Sequence, residues 1–170
     1  MNLTVVVGNP KPASRTAEAA TLLAHGLAPE AQPEIVDVIT LGPGLLGWGD
    51  PAVTEAVAKA AASDLLIVAS PTFKATYAGL LKLFLDQFET GTGLQDVVAV
   101  PLMLGAGPAH FMASDLLLKP VLAELGAACP APGLYLMDKT YDESPAMDEW
   151  ITRWGSTIRG TMTALQGAAA

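Results

Sequence analysis

The sequence is poor in cysteine, in charged side chains and in long apolar runs, and each shortage excludes a class of protein. A single cysteine, Cys129, excludes an internal disulfide and any zinc cluster built on cysteines. It lies in a Cys-Pro-Ala-Pro turn without a basic neighbour in sequence, so we interpret it as structural. No apolar run approaches the roughly 20 residues of a membrane span, and no basic leader precedes the first strand pattern, so we expect a cytoplasmic protein without membrane attachment.

Positive charge is also scarce, with nine Lys and Arg against seventeen Asp and Glu and a net charge of −8. This balance argues against nucleic acid or an anionic membrane as a partner. Hydrophobic residues make up 51% of the chain and charged residues 15%, which favours a well-filled core. We predict one domain over residues 1–166, followed by a frayed Ala-rich tail at 167–170.

Short β-branched runs alternate with longer helix-favouring stretches along the whole chain. Strands are predicted at 3–7, 34–39, 64–70, 97–104 and 133–137, and helices at 15–27, 51–63, 75–89, 109–125 and 143–165. The glycine-rich stretch 42–49 is predicted to be a loop. This alternation predicts a parallel sheet with right-handed crossovers and helices on both faces. Ligands bind such sheets beyond the carboxyl ends of the strands, so the loops there are the candidate sites.

The first of these loops, residues 8–16, joins a buried strand to a helix N-terminus. Free backbone N–H groups and the helix dipole favour an anion there. Lys11 and Arg15 are charged donors suited to a phosphate monoester, and no other cation follows until Lys59. The loop lacks both the Walker ending and the Gly-x-Gly-x-x-Gly fingerprint. The alternative interpretation is a polar turn that only caps the helix.

Two further loops follow the third and fourth predicted strands. Phe73 and Tyr77 are flat side chains that could flank a ring, although aromatic residues here are also common in the core. In the stretch 104–110 two glycines allow close backbone approach to a ligand, or simply a tight turn. His110 lies near the N-terminus of the next predicted helix and is interpreted either as a ligand neighbour or as a capping residue. No metal-ligand set and no nucleophile–base–acid set is present.

Three segments, residues 8–16, 70–82 and 109–122, resemble the NADPH-dependent FMN reductases of the flavodoxin-like superfamily, especially those that serve two-component alkanesulfonate monooxygenases. Residues 8–16, Gly-Asn-Pro-Lys-x-x-Ser-Arg-Thr, are similar to the family's Gly-Ser-Pro-Arg-x-x-Ser-Arg-Ser/Thr loop. Residues 70–82, Ser-Pro-Thr-Phe-Lys-Ala-Thr-Tyr-Ala-Gly-Leu-Leu-Lys, resemble Thr-Pro-Val-Tyr-Lys-Ala-Ala-Tyr-Ser-Gly-Ala-Leu-Lys. Residues 109–122 match a family helix without gaps.

The resemblance implies a flavodoxin-like three-layer sandwich that binds FMN on a five-stranded parallel sheet of order 2-1-3-4-5. Hydride would pass from NAD(P)H to flavin N5, so positioning replaces a catalytic side chain, with His110 as a neighbour of the nicotinamide or flavin. The implied phosphate contacts are Asn9, Lys11, Ser14, Arg15 and Thr16. The implied ring contacts are Pro71, Thr72, Phe73, Lys74 and Tyr77 on one side and Gly105, Ala106 and Gly107 on the other.

Two residues depart from the family pattern. Phe73 replaces a Tyr, and Leu116 replaces a Tyr in a family helix that carries a π-type bulge at a subunit interface. Because the alignment has no gap, we predict that the bulge remains while its polar contact across subunits is lost. The expected consequence is slower exchange of FMN and a stronger tendency to retain it.

The stretch 80–88 predicts self-association, because its apolar residues span an arc of about 200°, wider than the roughly 100° stripe of a one-sided helix. We expect a homodimer or a tetramer of two dimers. Reduced FMN is expected to pass to a flavin-dependent monooxygenase or another acceptor. The alternatives are a reductase that retains FMN and reduces quinones, azo dyes or metal oxyanions, a flavodoxin-type electron carrier, and a module that senses FMN.

Overall fold

A parallel sheet forms the centre of the molecule, of which the computed structural model describes residues 1–168. Its strands are β1 (Leu3–Val7), β2 (Glu34–Asp37), β3 (Leu65–Phe73), β5 (Val98–Gly105) and β6 (Leu134–Met137), with β4 (Thr76–Tyr77) pairing antiparallel to the end of β3. The parallel strands lie in the order β2-β1-β3-β5-β6. This confirms the predicted order 2-1-3-4-5, since the unpredicted β4 shifts only the numbering.

Helices cover both faces of the sheet and complete the three layers. They are α1 (Arg15–Leu27), α2 (Pro51–Ala61), α3 (Gly79–Leu85), α4 (Lys119–Glu124) and α5 (Ala146–Ala168). Helices α1 and α5 pack on one face, where Leu23 and Ile158 are fully buried. Helices α2, α3 and α4 pack on the other, around Phe84 and Leu122. Because helices shield both faces, β1, β3 and β5 are apolar and buried almost throughout.

The predicted helix 75–89 is wrong at both ends. Strand β3 continues three residues beyond the predicted strand 64–70 and turns back through β4, so α3 begins only at Gly79. The turn needs positive φ at Lys74 and Ala75, which no helix residue adopts. The hydroxyl of Ser70 fixes this hairpin by accepting a hydrogen bond from the backbone N–H of Ala78 at 2.9 Å.

Other boundaries also differ. The predicted strand 34–39 ends at Asp37, and most of the predicted loop 42–49 is instead part of a 3₁₀ segment, Val38–Leu46, kinked at Gly42 where φ is 56°. Helix α5 starts three residues later than the predicted 143–165 and continues to Ala168. It therefore includes the first two residues of the predicted tail 167–170, and the last two lie outside the described residues.

The predicted helix 109–125 is three pieces, a 3₁₀ turn (Pro108–His110), a π-helix (Ser114–Leu118) and α4. The π-helix confirms the predicted bulge. Pro120 gives a local reason, because it has no N–H to donate to the carbonyl of Leu116 and its ring crowds that carbonyl. The carboxylate of Asp115 also anchors the bulge by accepting a hydrogen bond from the backbone N–H of Gly133 at 2.9 Å.

The apolar arc of residues 80–88 is largely covered by the chain itself. Leu81, Phe84, Leu85 and Phe88 are buried, and only Leu83 counts among the exposed large hydrophobic residues, at 37%. The width of the arc alone therefore does not require a second subunit. Among the described residues, no helix has the length and apolar character needed to cross a membrane.

Candidate functional site

A cavity of about 580 Å³ lies at the carboxyl ends of the parallel strands. Its volume falls within the range of roughly 300–1,000 Å³ typical of small-molecule sites. The loop between β1 and α1, the end of β3 and the loop after β5 form its walls. The lining residues are Asn9, Pro10, Lys11, Ala13, Ser14, Arg15, Thr16, Glu18, Pro71, Thr72, Phe73, Leu104, Gly105, Ala106 and Asp138.

Side-chain hydrogen bonds hold the loop 8–16 in a tight turn. Asn9 Nδ2 donates to Thr16 Oγ1 at 2.9 Å, and Asn9 Oδ1 accepts from the backbone N–H of Lys11 at 2.9 Å. Ser14 caps α1 by accepting from the backbone N–H of Ala17. The polar groups of Asn9, Ser14 and Thr16 thus shape the loop, and Lys11 and Arg15 are the cations that line the cavity.

Two close contacts place this loop against its neighbours. Gly8 donates its N–H to the carbonyl of Ala69 at 2.8 Å, and a Cβ at Gly8 would collide with Leu81 of α3. Ala13 has a φ of 48°, a left-handed conformation within the turn 8–16. Burial raises the pKa of Asp37 at the end of β2, while the backbone N–H groups of Ala13 and Ile39 act to lower it.

The hairpin after β3 forms the second wall. Ser70 is fully buried, accepts from Ala78 N–H and donates to the carbonyl of Pro71 at 2.9 Å. Phe73, 49% exposed, presents its ring at the cavity. The hydroxyl of Thr72 is buried and, among the described residues, has no hydrogen-bond partner. A buried hydroxyl without a partner is costly, so this group is a candidate for bonding a ligand.

The third wall consists of backbone after β5 and is fixed from behind by β6. Tyr135 donates its hydroxyl proton to the carbonyl of Gly107 at 2.8 Å. A Cβ at Gly105 would collide with that same hydroxyl, so only glycine leaves room for it. Gly105 and Ala106 therefore line the cavity with backbone and a single methyl group.

The cavity brings together most of the residues that the sequence singled out, namely Asn9, Lys11, Ser14, Arg15, Thr16, Pro71, Thr72, Phe73, Gly105 and Ala106. Lys74, Tyr77, Gly107 and His110 do not line it. Tyr77 pairs with Thr72 in the hairpin, and Gly107 is bonded to Tyr135. His110 is exposed at the end of its 3₁₀ turn.

Two carboxylates in the cavity were missed by sequence reasoning. Glu18, in the first turn of α1, accepts a hydrogen bond from the Tyr141 hydroxyl at 2.6 Å. Burial raises the pKa of Tyr141 to about 12, and Glu18 contributes to the shift. Asp138 lies just beyond β6, where its backbone carbonyl accepts from Arg15 Nη1 at 2.8 Å. Both contacts join residues 123 positions apart, so no local pattern announces them.

The buried Ser70 hydroxyl gives a testable prediction for the hairpin. Ser70→Ala leaves the Ala78 N–H without a partner, so we expect the free energy of unfolding to fall by about 1–3 kcal/mol. Trypsin should also cleave faster after Lys74, which is exposed in the turn that Ser70 supports. Denaturant unfolding and timed proteolysis measure the two effects.

Ser63→Ala is the matched control. Ser63 is also buried, and its hydroxyl bonds to that of Thr4. It precedes β3 and so lies at the end of the sheet opposite the hairpin. Ser63→Ala should lower the free energy of unfolding. Cleavage after Lys74 should then rise only as much as the larger unfolded fraction explains. Equal acceleration by both variants would show that Ser70 has no special role in the hairpin.

Comparison with known proteins adds independent findings. Residues 1–142 match the model of the family "NADPH-dependent FMN reductase". An Escherichia coli K12 protein named "FMN reductase (NADPH)" is 43% identical over 76 residues, which are 45% of this chain and 39% of that protein. A Pseudomonas putida protein named "NADH-dependent FMN reductase SfnF" is 32% identical over 103 residues, 56% of this chain and 53% of that protein. The matched stretches thus span about two-fifths to half of the length of these relatives.

Solved structures are similar over nearly the whole chain. The apo form of an NADH:FMN oxidoreductase called EMOB superposes with a TM-score of 0.80 and 29% identity, covering 95% of this chain and 88% of that one. An oxidoreductase from Corynebacterium diphtheriae, 24% identical, covers 97% of this chain and 96% of its own with a TM-score of 0.77, which supports the fold. Since the family model matches 142 of the 170 residues, the chain belongs to the NADPH-dependent FMN reductase family.

Proposed function

We propose that this chain is an NAD(P)H-dependent flavin reductase that uses FMN. The observation that carries the proposal is the composition of the cavity, in which a cationic turn at the start of α1, a half-exposed aromatic ring and the small residues Gly105 and Ala106 form the lining. This combination suits a phosphate joined to a flat ring system. The names of the relatives and of the EMOB structure support it.

The residues present fit FMN. The turn 8–16 offers Lys11, Arg15 and the free N–H groups of the first turn of α1 to a phosphate. Thr72 has a buried hydroxyl without a partner in the described part of the chain, which suits a polar atom of the ligand. In this proposal Phe73 and Pro71 border one side of the isoalloxazine ring, and Gly105 and Ala106 border the other.

The protein contributes position rather than a reacting group. FMN, when bound, supplies a hydride acceptor at N5. The turn 8–16 would hold the phosphate end, and the hairpin and the wall after β5 would border the ring and orient it. A hydride transfer needs no side-chain acid or base at the reacting atoms. His110, exposed and outside the cavity lining, takes no part in the chemistry of this proposal.

We further propose that the flavin reduced by this cytoplasmic, single-domain enzyme passes to a flavin-dependent monooxygenase or another acceptor. Between a reductase and a flavodoxin-type carrier, the two cations of the turn favour the reductase, because flavodoxins usually bind the phosphate with a Ser/Thr-rich loop. The retention of FMN predicted from Leu116 stays a prediction. Leu116 is 64% exposed on the π-helix and does not line the cavity.

The activity prediction is that the purified chain oxidises NADH or NADPH only when FMN is present, at a rate that saturates with FMN. Absorbance at 340 nm, with and without added FMN, measures it. Bleaching of the flavin by NAD(P)H without a second protein separates a reductase from a carrier. Absence of oxidation with either nicotinamide, with FMN shown to be bound, would contradict the reductase proposal.

Arg15→Ala tests the phosphate contact. We expect FMN binding to weaken by about 1.5–3 kcal/mol, the usual size of a charge-assisted hydrogen bond. Riboflavin lacks the phosphate, so its affinity should hardly change. Quenching of flavin fluorescence measures both affinities. Arg153→Ala is the matched control, since Arg153 lies exposed over Trp154 on α5. If riboflavin lost as much affinity as FMN, Arg15 would not be a phosphate ligand.

We also propose self-association, based on exposed apolar residues rather than on the width of the apolar arc of residues 80–88. Leu46 and Trp48, each 77% exposed, lie beside Leu83 of α3, and these three apolar side chains form a surface bordered by Asp86 and Gln87. We propose that two chains pair through this surface into a homodimer. A second group of exposed apolar residues around the π-helix, Phe111, Met112, Leu116 and Leu117, is the candidate contact between dimers in a tetramer.

Light scattering at micromolar concentration should show a dimer or tetramer. The double variant Trp48→Asp and Leu83→Asp places charge on this surface. It should lower the number of subunits per particle and leave the circular dichroism spectrum unchanged. Leu22→Asp, on the exposed side of α1 at 43% exposure, is the control and should leave the mass unchanged. A monomeric parent chain would contradict the proposal.

A further inference from the structure

Arg15, the proposed phosphate ligand, is already engaged by an anion of the protein itself. Its Nη1 donates to the backbone carbonyl of Asp138 at 2.8 Å and lies 3.4 Å from the carboxylate oxygen Oδ2 of the same residue. Both side chains are partly accessible, 58% for Arg15 and 29% for Asp138. Both residues line the cavity, so the ion pair lies where the ligand phosphate is proposed to bind.

The backbone holds Asp138 in this position independently of its charge. Its N–H donates to the carbonyl of Gly105 at 2.9 Å, at the end of β5. The contact between its backbone carbonyl and Arg15 does not involve the charge of its side chain. Within the described part of the chain, its other carboxylate oxygen, Oδ1, is buried without a hydrogen-bond partner. The carboxylate is therefore only partly satisfied, and the fold does not depend on it to place Arg15.

The charges that line the cavity nearly cancel before any ligand enters. Lys11 and Arg15 are opposed by Asp138 and by Glu18, and Glu18 is directed to the Tyr141 hydroxyl. Asp138 is the carboxylate in direct contact with a cavity cation. A phosphate dianion that approaches Arg15 must share the guanidinium with this carboxylate and is repelled by it.

We propose that Asp138 is a specificity-determining residue that competes with the ligand phosphate for Arg15 and keeps phosphorylated flavin exchangeable. The proposal rests on the proposed function, because it takes FMN as the ligand. Asp138 acts through Arg15 and touches no reacting atom. Its carboxylate lowers the affinity for FMN, and it has little effect on riboflavin, which carries no phosphate.

Asp138→Asn tests this directly, because it removes the charge and keeps the size and the backbone contacts. We expect FMN to bind roughly three- to tenfold more tightly, because the variant removes one repulsive and competing charge at a partly exposed site. Riboflavin affinity should stay the same. The gain should shrink at 0.5 M salt, since screening weakens the repulsion. Fluorescence titration with each flavin measures the affinities, and stopped-flow release of FMN should be slower by a similar factor.

Asp142→Asn is the matched control, because it removes an exposed negative charge from the same loop outside the cavity lining. It should leave both affinities unchanged. Asp138→Ser is a second variant that removes the charge, and thermal melting checks that each variant folds. A merely structural role for Asp138 would weaken binding or leave it unaltered, so a gain restricted to FMN is the diagnostic result.

The outcomes separate this inference from the function it rests on. If the parent chain binds FMN but neither Asp138 variant binds it more tightly, or if both flavins gain equally, the competition is refuted and the reductase proposal stands. If the parent chain binds neither flavin, both fall.

Discussion

The parallel pairing of β1 with β3 is the constraint on which the site depends. Its register sets Val7 beside Ala69, and one residue later the N–H of Gly8 bonds to the carbonyl of Ala69. The two chains therefore leave the sheet side by side, one into the turn 8–16 and the other into the Ser70 hairpin. A slip of one residue would reverse every side chain of a strand that is buried on both faces. The cationic turn and the aromatic wall are neighbours because this register places the ends of β1 and β3 side by side.

Much of this arrangement can be predicted from the sequence because it follows from local pattern. The β-branched run of β1 and the Ser14 cap with the apolar periodicity of α1 define those elements, and both have their predicted bounds. The π-helix was predicted from a gapless family resemblance, and Pro120 supplies its local cause. The hairpin was missed because it is held by the short pairing of β4 with β3 and by the Ser70 hydroxyl, which bonds to a backbone group eight residues away. Residues 75–78 have no pattern that separates this turn from a helix.

The polarity of the cavity is the other property that sequence could not supply. The residues proposed from the turn 8–16 include three whose polar groups also hold the turn together, Asn9, Ser14 and Thr16. Asp138 contacts Arg15 only because β6 ends next to β5 at the same edge of the sheet. Such contacts depend on tertiary placement. The Asp138–Arg15 contact opposes the retention of FMN that is predicted from Leu116, because a carboxylate on Arg15 favours release of the phosphate. The two residues act at separate places in the molecule.

The central claim is that the turn 8–16 binds the phosphate of FMN while the ring lies between Phe73 and the wall at Gly105. A crystal structure of the chain grown with FMN tests it most directly. The account predicts phosphate oxygens within hydrogen-bond distance of Arg15 and of the backbone N–H groups at the start of α1, with the ring against Phe73. A phosphate bound away from the start of α1, or a ring outside the space between Phe73 and Gly105, would contradict it.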